Sequence, residues 1–417
     1  MLTYDDLVND MALGCKPKED WRIGIEHEQF VFHAENGKAL EYDGAPGIKQ
    51  ILERFIADYG WEPVEVAGYL IALKRGQSMI TLEPGGQVEF SGSPLRSTGE
   101  VRAEADRFYD EFTAITKSLS LGILDAGFHP SWRREDIHRM PKERYVIMSE
   151  YMPKRGRYGI DMMLRTCGAQ VNLDFSSEAD MVKKYRVALG LQPVVTALLA
   201  NSTHAEGKNT GYQSYRSLMW EDLDPDRTGV PGFVFEDGMS FARYVDYALD
   251  VPMYFIMRNG HHVDVSGQSF RAFMEGKLPG HEGEFPSIDD WHDHLTTLFP
   301  EVRLKRYLEL RGPDSNTPAM VYAMTSFWTG IFYNSDALDQ AWDLIRDWPV
   351  DLHRQVRQDV PRFGLLTPLP ERQTLINQAI ESIAIARHGL SHLNDEQGGK
   401  VYLDLLDQKV RSVAAAA

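Results

Sequence analysis

Apolar and polar positions alternate with a period of two in four stretches of this chain, and the side they leave polar carries unusual chemistry. In Trp21-Arg22-Ile23-Gly24-Ile25-Glu26-His27-Glu28-Gln29-Phe30 that period places Glu26 and Glu28 on one face of a strand. Residues 165–175 set Thr166, Gln170, Asn172 and Asp174 against Cys167, Ala169, Val171, Leu173 and Phe175. Residues 302–311 read as a further strand, with Val302, Leu304, Leu308 and Leu310 opposite Arg303, Lys305, Tyr307, Glu309 and Arg311; only Arg306 breaks the apolar side. In Thr81 to Phe90, Gln87 and Glu89 share a face, and Glu83-Pro84-Gly85-Gly86 supplies a turn or bulge that re-aims the acidic side chains.

Helical spacing appears over 47–59, where Ile48, Ile51, Leu52, Phe55 and Ile56 form a stripe ending at Gly60, and again near 99–120, 178–200, 335–358 and 371–389. Strands and helices are intermixed without the regular alternation of a doubly wound sheet, so the expected class is α+β. The connections 201–235 and 258–290, rich in Gly, Pro, Asn and Asp, read as long irregular loops of the lid or binding type. No internal repeat is evident. One catalytic domain over residues 1–417 is expected, with Ala414 to Ala417 a frayed end.

Length and a 43% hydrophobic content suffice for a sizeable core. A net charge of −17 argues against nucleic-acid and anionic-membrane surfaces and leaves small molecules as the partners of a monomer or homodimer. The two cysteines, Cys15 and Cys167, are too few for a disulfide framework and read as free thiols in a reducing compartment; with no signal-peptide pattern, the cytoplasm is expected.

Several carboxylates on one sheet face repel one another unless cations sit among them, and hard cations take oxygen ligands, which points to a Mg2+ and phosphate site. No Walker-type phosphate loop and no strand-linked G-x-G-x-x-G is present, so any nucleotide site is built another way. His27-Glu28 is not a zinc-protease motif, because Val31 stands where the second histidine belongs. His261, His262 and Asp264, like His292 and His294, read as surface residues. Glu26 and Glu28 alone fit a solvated strand face; the nearby Glu83 and Glu89 shift the balance to metal. Glu309 and Arg311 form either an ordinary charge pair or a metal ligand beside a phosphate-gripping guanidinium.

With these residues in place, Glu26-His27-Glu28, Thr81 to Gln87, Met162 to Cys167, Gln170 to Ser177, Asp224 to Gly229 and Phe299 to Glu309 closely resemble the plant and proteobacterial type of glutamate–cysteine ligase. The likeness runs from about residue 3 to about residue 375, and 390–417 match weakly. It implies a glutamine-synthetase-like fold whose curved antiparallel sheet forms a bowl for ATP, two or three Mg2+ ions and glutamate. It also implies Mg2+ ligands at Glu26, Glu28, Glu83, Glu89, Gln170 and Glu309, with Glu83 and Arg311 acting in catalysis. Substrate contacts are implied at Arg216, Arg165, Thr166, Met163 and Tyr254, and nucleotide contacts at Asn172, Lys305 and Arg303. On the residues alone, a loop salt bridge is the alternative reading of Arg216.

The chain departs from the family pattern at Ile25, at Tyr69 and in Pro313-Asp314-Ser315-Asn316-Thr317-Pro318. Loss of small and polar residues there is expected to reshape the acceptor pocket, which keeps a second reading open: a γ-glutamyl ligase for another small amino acid. The regulatory cysteines of plant members are unmatched, so thiol control is not expected.

Overall fold

The computed structural model describes residues 1–393 and 399–416. Its centre is a nine-stranded sheet built from β1 (Ile23–His33), β2 (Glu62–Val66), β3 (Tyr69–Arg75), β4 (Ser78–Leu82), β5 (Val88–Ser91), β6 (Leu121–Leu124), β7 (Ala169–Leu173), β8 (Val302–Leu304) and β9 (Leu308–Leu310). The order is β8-β9-β7-β1-β5-β4-β3-β2, with β6 paired to the far half of β1. All of these pairs are antiparallel.

Register decides what the polar face presents. Glu26 lies opposite Gln170 on β7 and Ser91 on β5, Glu28 opposite Glu89, Thr81 opposite Glu89, and Glu309 opposite Asn172. A row of oxygen-bearing side chains therefore crosses five strands. The other face is closed by the helices Thr98–Ser118 and Pro318–Tyr333, with Phe90 stacked on Phe108 at 4.4 Å between ring centres. Burial of that apolar side against two helices fixes which face is left for chemistry, since a slip of one residue would exchange them.

The 302–311 stretch is not one strand. Arg306 marks the turn of a hairpin in which Arg303 faces Glu309, and this pairing keeps residues 303, 305, 309 and 311 on one side despite the reversal. Likewise residues 165–175 are not wholly extended: Arg165 ends the helix Gly159–Arg165, and the strand begins at Ala169. The expected 335–358 helix divides into Ser335–Asp343 and Val350–Phe363, because Pro349 removes an N–H and starts a new segment. The loops at 201–235 and 258–290 carry short elements, including the helices Tyr215–Met219 and Phe270–Met274 and the Phe255–Arg258/His261–Asp264 hairpin. His294 is buried, not on the surface, and contacts the Ala248 carbonyl through Nε2 at 2.8 Å. The helix Gly399–Ala416 carries Ala414 to Ala416, which are therefore helical and not frayed; Ala417 lies outside the described residues. Both cysteines are free; Cys167 is buried with Phe30, Ala39 and Trp132.

Candidate active site

A cavity of about 510 Å³ opens on the polar face of the sheet. Glu26 and Glu28 from β1, Glu83 and Gln87 from the β4–β5 turn, and Glu89 from β5 form part of its lining. The turn is built by its own side chain: Gln87 Oε1 accepts the Gly85 N–H at 2.8 Å, and Gln87 Nε2 donates to the Thr166 carbonyl at 2.9 Å. Gly86 takes a φ of +84°, the left-handed region that glycine enters at no steric cost.

Cations line the same cavity. Arg303, Lys305 and Arg311 come from the β8–β9 hairpin and its exit, Lys142 and Arg144 from the start of the helix Glu143–Tyr151, and Arg216 from Tyr215–Met219. Acidic and basic groups are interleaved: Lys142 acts on Glu83 and Glu89, Lys305 on Glu26, and Arg216 and Arg311 on Glu28.

Burial raises the pKa of Glu26 and Glu83 to about 7, reinforced by Glu309 and Glu89 at Glu26 and by Glu28 at Glu83. Glu28 and Glu89, directly opposite each other, are raised by burial and by mutual or neighbouring carboxylate charge. Like charges at a cross-strand pair cost stability, and the sheet retains them here. Glu28 Oε2 accepts the Gly168 N–H at 2.7 Å, Glu26 Oε1 accepts from Asn172 Nδ2 at 2.8 Å, and Glu89 Oε2 accepts from Thr81 Oγ1 at 2.6 Å.

Glu309 behaves in the opposite way. Arg303 grips it with two bonds of 2.8 and 2.7 Å, Lys305 Nζ lies at 3.1 Å, and Arg311 also donates to it. These cations hold its pKa well below the usual range despite complete burial. Gln170 Oε1 is occupied too, by Arg311 Nη1 at 2.7 Å. Among the described residues no three carboxylate, imidazole or thiolate groups converge closely enough to cage an ion by themselves. The donor set nevertheless fits Mg2+: it is all oxygen, its carboxylates raise one another's pKa, and it shares the cavity with cations that would take phosphate oxygens. Any ion there would complete its shell with water and ligand oxygens.

Of the substrate positions implied by the resemblance, Met163, Thr166 and Arg216 line the cavity. Arg216 is buried, donating from Nη1 to the Gly312 carbonyl at 2.9 Å, with Nε unpartnered. Arg165 and Tyr254 do not line it. Arg165 pairs with Asp161 and Glu206, each at 3.1 Å, and the Tyr254 hydroxyl donates to Asp224 at 3.2 Å. Asn172 acts beneath the surface, through Glu26.

The cavity also contains residues that alternation could not find: Lys142, Arg144, Tyr145, Met148, Trp220, Thr296 and Phe299. Lys142 donates to the Leu82 carbonyl at 2.7 Å, and burial lowers its pKa to about 8. One local signal existed. Lys142 and Arg144 stand at a helix N-terminus, where the macrodipole disfavours cations, and such a placement calls for an anion nearby.

The departures from the family pattern fall elsewhere. Ile25 is in the core, Tyr69 is 44% exposed, and Asp314 and Ser315 are buried behind the sheet, where Asp314 accepts from Ser202 at 2.6 Å and Ser214 at 2.7 Å. None of them lines the cavity. Asp314 reaches the cavity only indirectly, through Ser202, whose hydroxyl accepts the Arg216 N–H at 3.1 Å.

The model of glutamate–cysteine ligase family 2 matches residues 22–413. The chain belongs to this family. It is 47% identical to the chloroplastic glutamate–cysteine ligase of Brassica juncea over 412 residues, covering 99% of this chain and 79% of the relative. The same identity over the same length holds for the chloroplastic enzyme of Arabidopsis thaliana, with 78% of that relative covered. Among solved structures, glutamate–cysteine ligase of Francisella tularensis in complex with AMP aligns with a TM-score of 0.55 at 14% identity, over 94% of this chain and 82% of that one. That likeness shows the fold, which is α+β with an open antiparallel sheet. Among the described residues no helix is long and apolar enough to cross a membrane.

Proposed function

We propose that this chain is an ATP- and Mg2+-dependent ligase that joins the γ-carboxyl of L-glutamate to the α-amine of L-cysteine, the first step of glutathione synthesis. The observation that carries the reading is one cavity lined by carboxylates from β1, the β4–β5 turn and β5 and by cations from the β8–β9 hairpin, in a chain 47% identical to glutamate–cysteine ligases. The whole chain acts as one catalytic unit on small molecules. Its two free thiols fit a reducing compartment, and we place it in the cytoplasm.

A carboxylate does not acylate an amine until one oxygen becomes a leaving group. The γ-carboxylate oxygen of glutamate takes the terminal phosphoryl group of ATP, releasing ADP; the amine nitrogen of cysteine then attacks the acyl carbon, loses a proton, and inorganic phosphate departs. Positioning and charge neutralisation supply most of the acceleration. Glu26, Glu28, Glu83 and Glu89 would hold the Mg2+ ions, which when bound neutralise phosphate oxygens. Gln170 joins them only by releasing Arg311, and Glu309 only by giving up contacts to Arg303, Lys305 or Arg311. Arg311, Arg303 and Lys305 face the transferring phosphoryl group, and Arg216 grips the α-carboxylate of glutamate with a fork that suits two oxygens. Met148, Met162, Met163, Trp220 and Phe299 offer soft apolar contact to a thiol side chain.

The test is purified protein with ATP, Mg2+ and glutamate, challenged with an amino-acid panel and read by dipeptide mass. ADP release that requires both glutamate and cysteine, with γ-glutamylcysteine as the main product, is expected. Release without an amine would mark a hydrolase.

A further inference from the structure

Behind the cavity arginines lies a buried charged cluster that no step above uses. Arg357, on the helix Val350–Phe363, donates from Nε to Glu301 Oε1 at 2.5 Å, from Nη1 to Glu221, and from Nη2 to the Ser217 carbonyl at 3.2 Å. Each contact reaches a segment bearing a cavity arginine. Ser217 directly follows Arg216, and the Glu301 carbonyl accepts the Arg311 N–H at 3.0 Å. The same helix holds the approach to Arg216, because the Pro361 carbonyl accepts the N–H groups of Gln213 and Ser214 at 2.8 and 3.0 Å.

The two arginine segments meet at Gly312, and the seam is tight. Arg216 donates to the carbonyls of Gly312 at 2.9 Å and Arg311 at 3.3 Å. A Cβ on Gly312 would stand 2.4 Å from Gln192 Nε2 and 2.6 Å from Glu301 Oε2. Gly312 packs directly against Glu301, and Glu301 is held by Arg357. Two neighbouring guanidiniums also repel each other, so their spacing needs an external brace. A buried ion pair is a poor source of stability compared with apolar packing, but it fixes geometry in a way that apolar packing does not.

We propose that Arg357 is a positioning residue: through Ser217 on one side and Glu301 on the other it sets the spacing between Arg216 and Arg311, and with it the distance from the anchored α-carboxylate of the amino-acid substrate to its reacting γ-carboxylate. The assignment rests on the ligase reading above. Arg357 touches neither substrate nor reacting atoms.

The experiment compares wild type with Arg357→Gln, Arg357→Lys and Glu221→Gln, by steady-state kinetics and by a crystal structure of each. Glu221→Gln is isosteric at a side chain 26% exposed, so it provides a folded variant if the buried changes prevent folding. Expected is a rise of about tenfold in the KM for glutamate with the KM for ATP changed less than about twofold, smaller in Arg357→Lys than in Arg357→Gln. A purely structural role would lower the melting temperature and the active fraction and leave both KM values alone. The proposal is overturned if no folded variant raises the glutamate KM, or if Arg216 Nη1 keeps its 2.9 Å contact with the Gly312 carbonyl in every variant structure. Wild-type protein that makes no γ-glutamyl product would instead remove the ligase reading, and the crystallographic contact would then decide the positioning role alone.

Discussion

Five glutamates face the same chemistry and carry two opposite electrostatic signatures. Glu26, Glu28, Glu83 and Glu89 are driven toward protonation by burial and by one another, whereas Glu309 is held ionised by Arg303, Lys305 and Arg311. Substitution should separate the two groups. Glu26→Gln or Glu83→Gln removes charge where it is in excess, so the fold persists while turnover falls by about two orders of magnitude or more as phosphate neutralisation is lost. Near-normal kcat in both would remove them from the metal shell. Glu309→Gln leaves three cations without their shared counter-ion, and a loss of about 3–5 kcal/mol of stability is expected beside the loss of activity, read by denaturant unfolding. Arg216→Lys keeps the charge but loses the fork, so the glutamate KM should rise far more than the ATP KM. Equal changes would assign Arg216 to a structural role through the Gly312 and Arg311 carbonyls. The acidic residues were legible in the sequence because strand periodicity assigns a face without any knowledge of partners. Arg165 shares its motif with the cavity residues Met163 and Thr166, yet it ends a helix and pairs with Asp161, and Tyr254 pairs with Asp224; neither fact has a local signature.

At the scale of elements, short turns aim long side chains. Gly85 lies against the end of the helix Gly159–Arg165, and a Cβ there would stand 2.4 Å from the Leu164 carbonyl oxygen and 3.0 Å from its Cα. Backbone cannot swing aside as a side chain can, so Gly85→Ala should cost about 1–3 kcal/mol and displace Glu83 and Gln87 together. Activity should fall more than stability, measured as kcat at a temperature well below the melting point; an alanine variant with unchanged kcat would show that the turn does not aim these groups. The Pro-Gly-Gly sequence announced a turn; residues 302–311 read as one strand, and the break in alternation at Arg306 was the hairpin's local trace. The helices Pro318–Tyr333 and Glu143–Tyr151 were not legible. The first is buried on nearly all sides and has no polar stripe to set its period; the second is short.

For the whole molecule, an excess of acid over base coexists with a cation-lined cavity, because the cations are concentrated where the hairpin, the Tyr215–Met219 helix and the start of Glu143–Tyr151 converge. That convergence joins segments more than 150 residues apart, and no local pattern encodes it. The same burial that creates the site also traps neutral histidines away from it. His353 is 2% exposed, stacked on Phe235 at 3.9 Å between ring centres, and its Nε2 has no partner; desolvation lowers its pKa from 6.5 to about 4. The unfolded chain therefore binds a proton near pH 6.5 that the folded chain refuses until about pH 4. Its contribution to stability is complete above pH 6.5 and is lost as the pH falls toward 4. The active-site carboxylates, with raised values, act in the opposite direction over part of this range, so the total pH profile cannot isolate the histidine. A paired comparison can. His353→Phe keeps an aromatic ring in the stack and removes the titration, so the difference in unfolding free energy between variant and wild type should grow in the variant's favour by about 1–3 kcal/mol between pH 7 and pH 4.5. Urea unfolding of both proteins at the two pH values measures it, and a difference that stays constant would mean that His353 is protonated at no extra cost in the folded state.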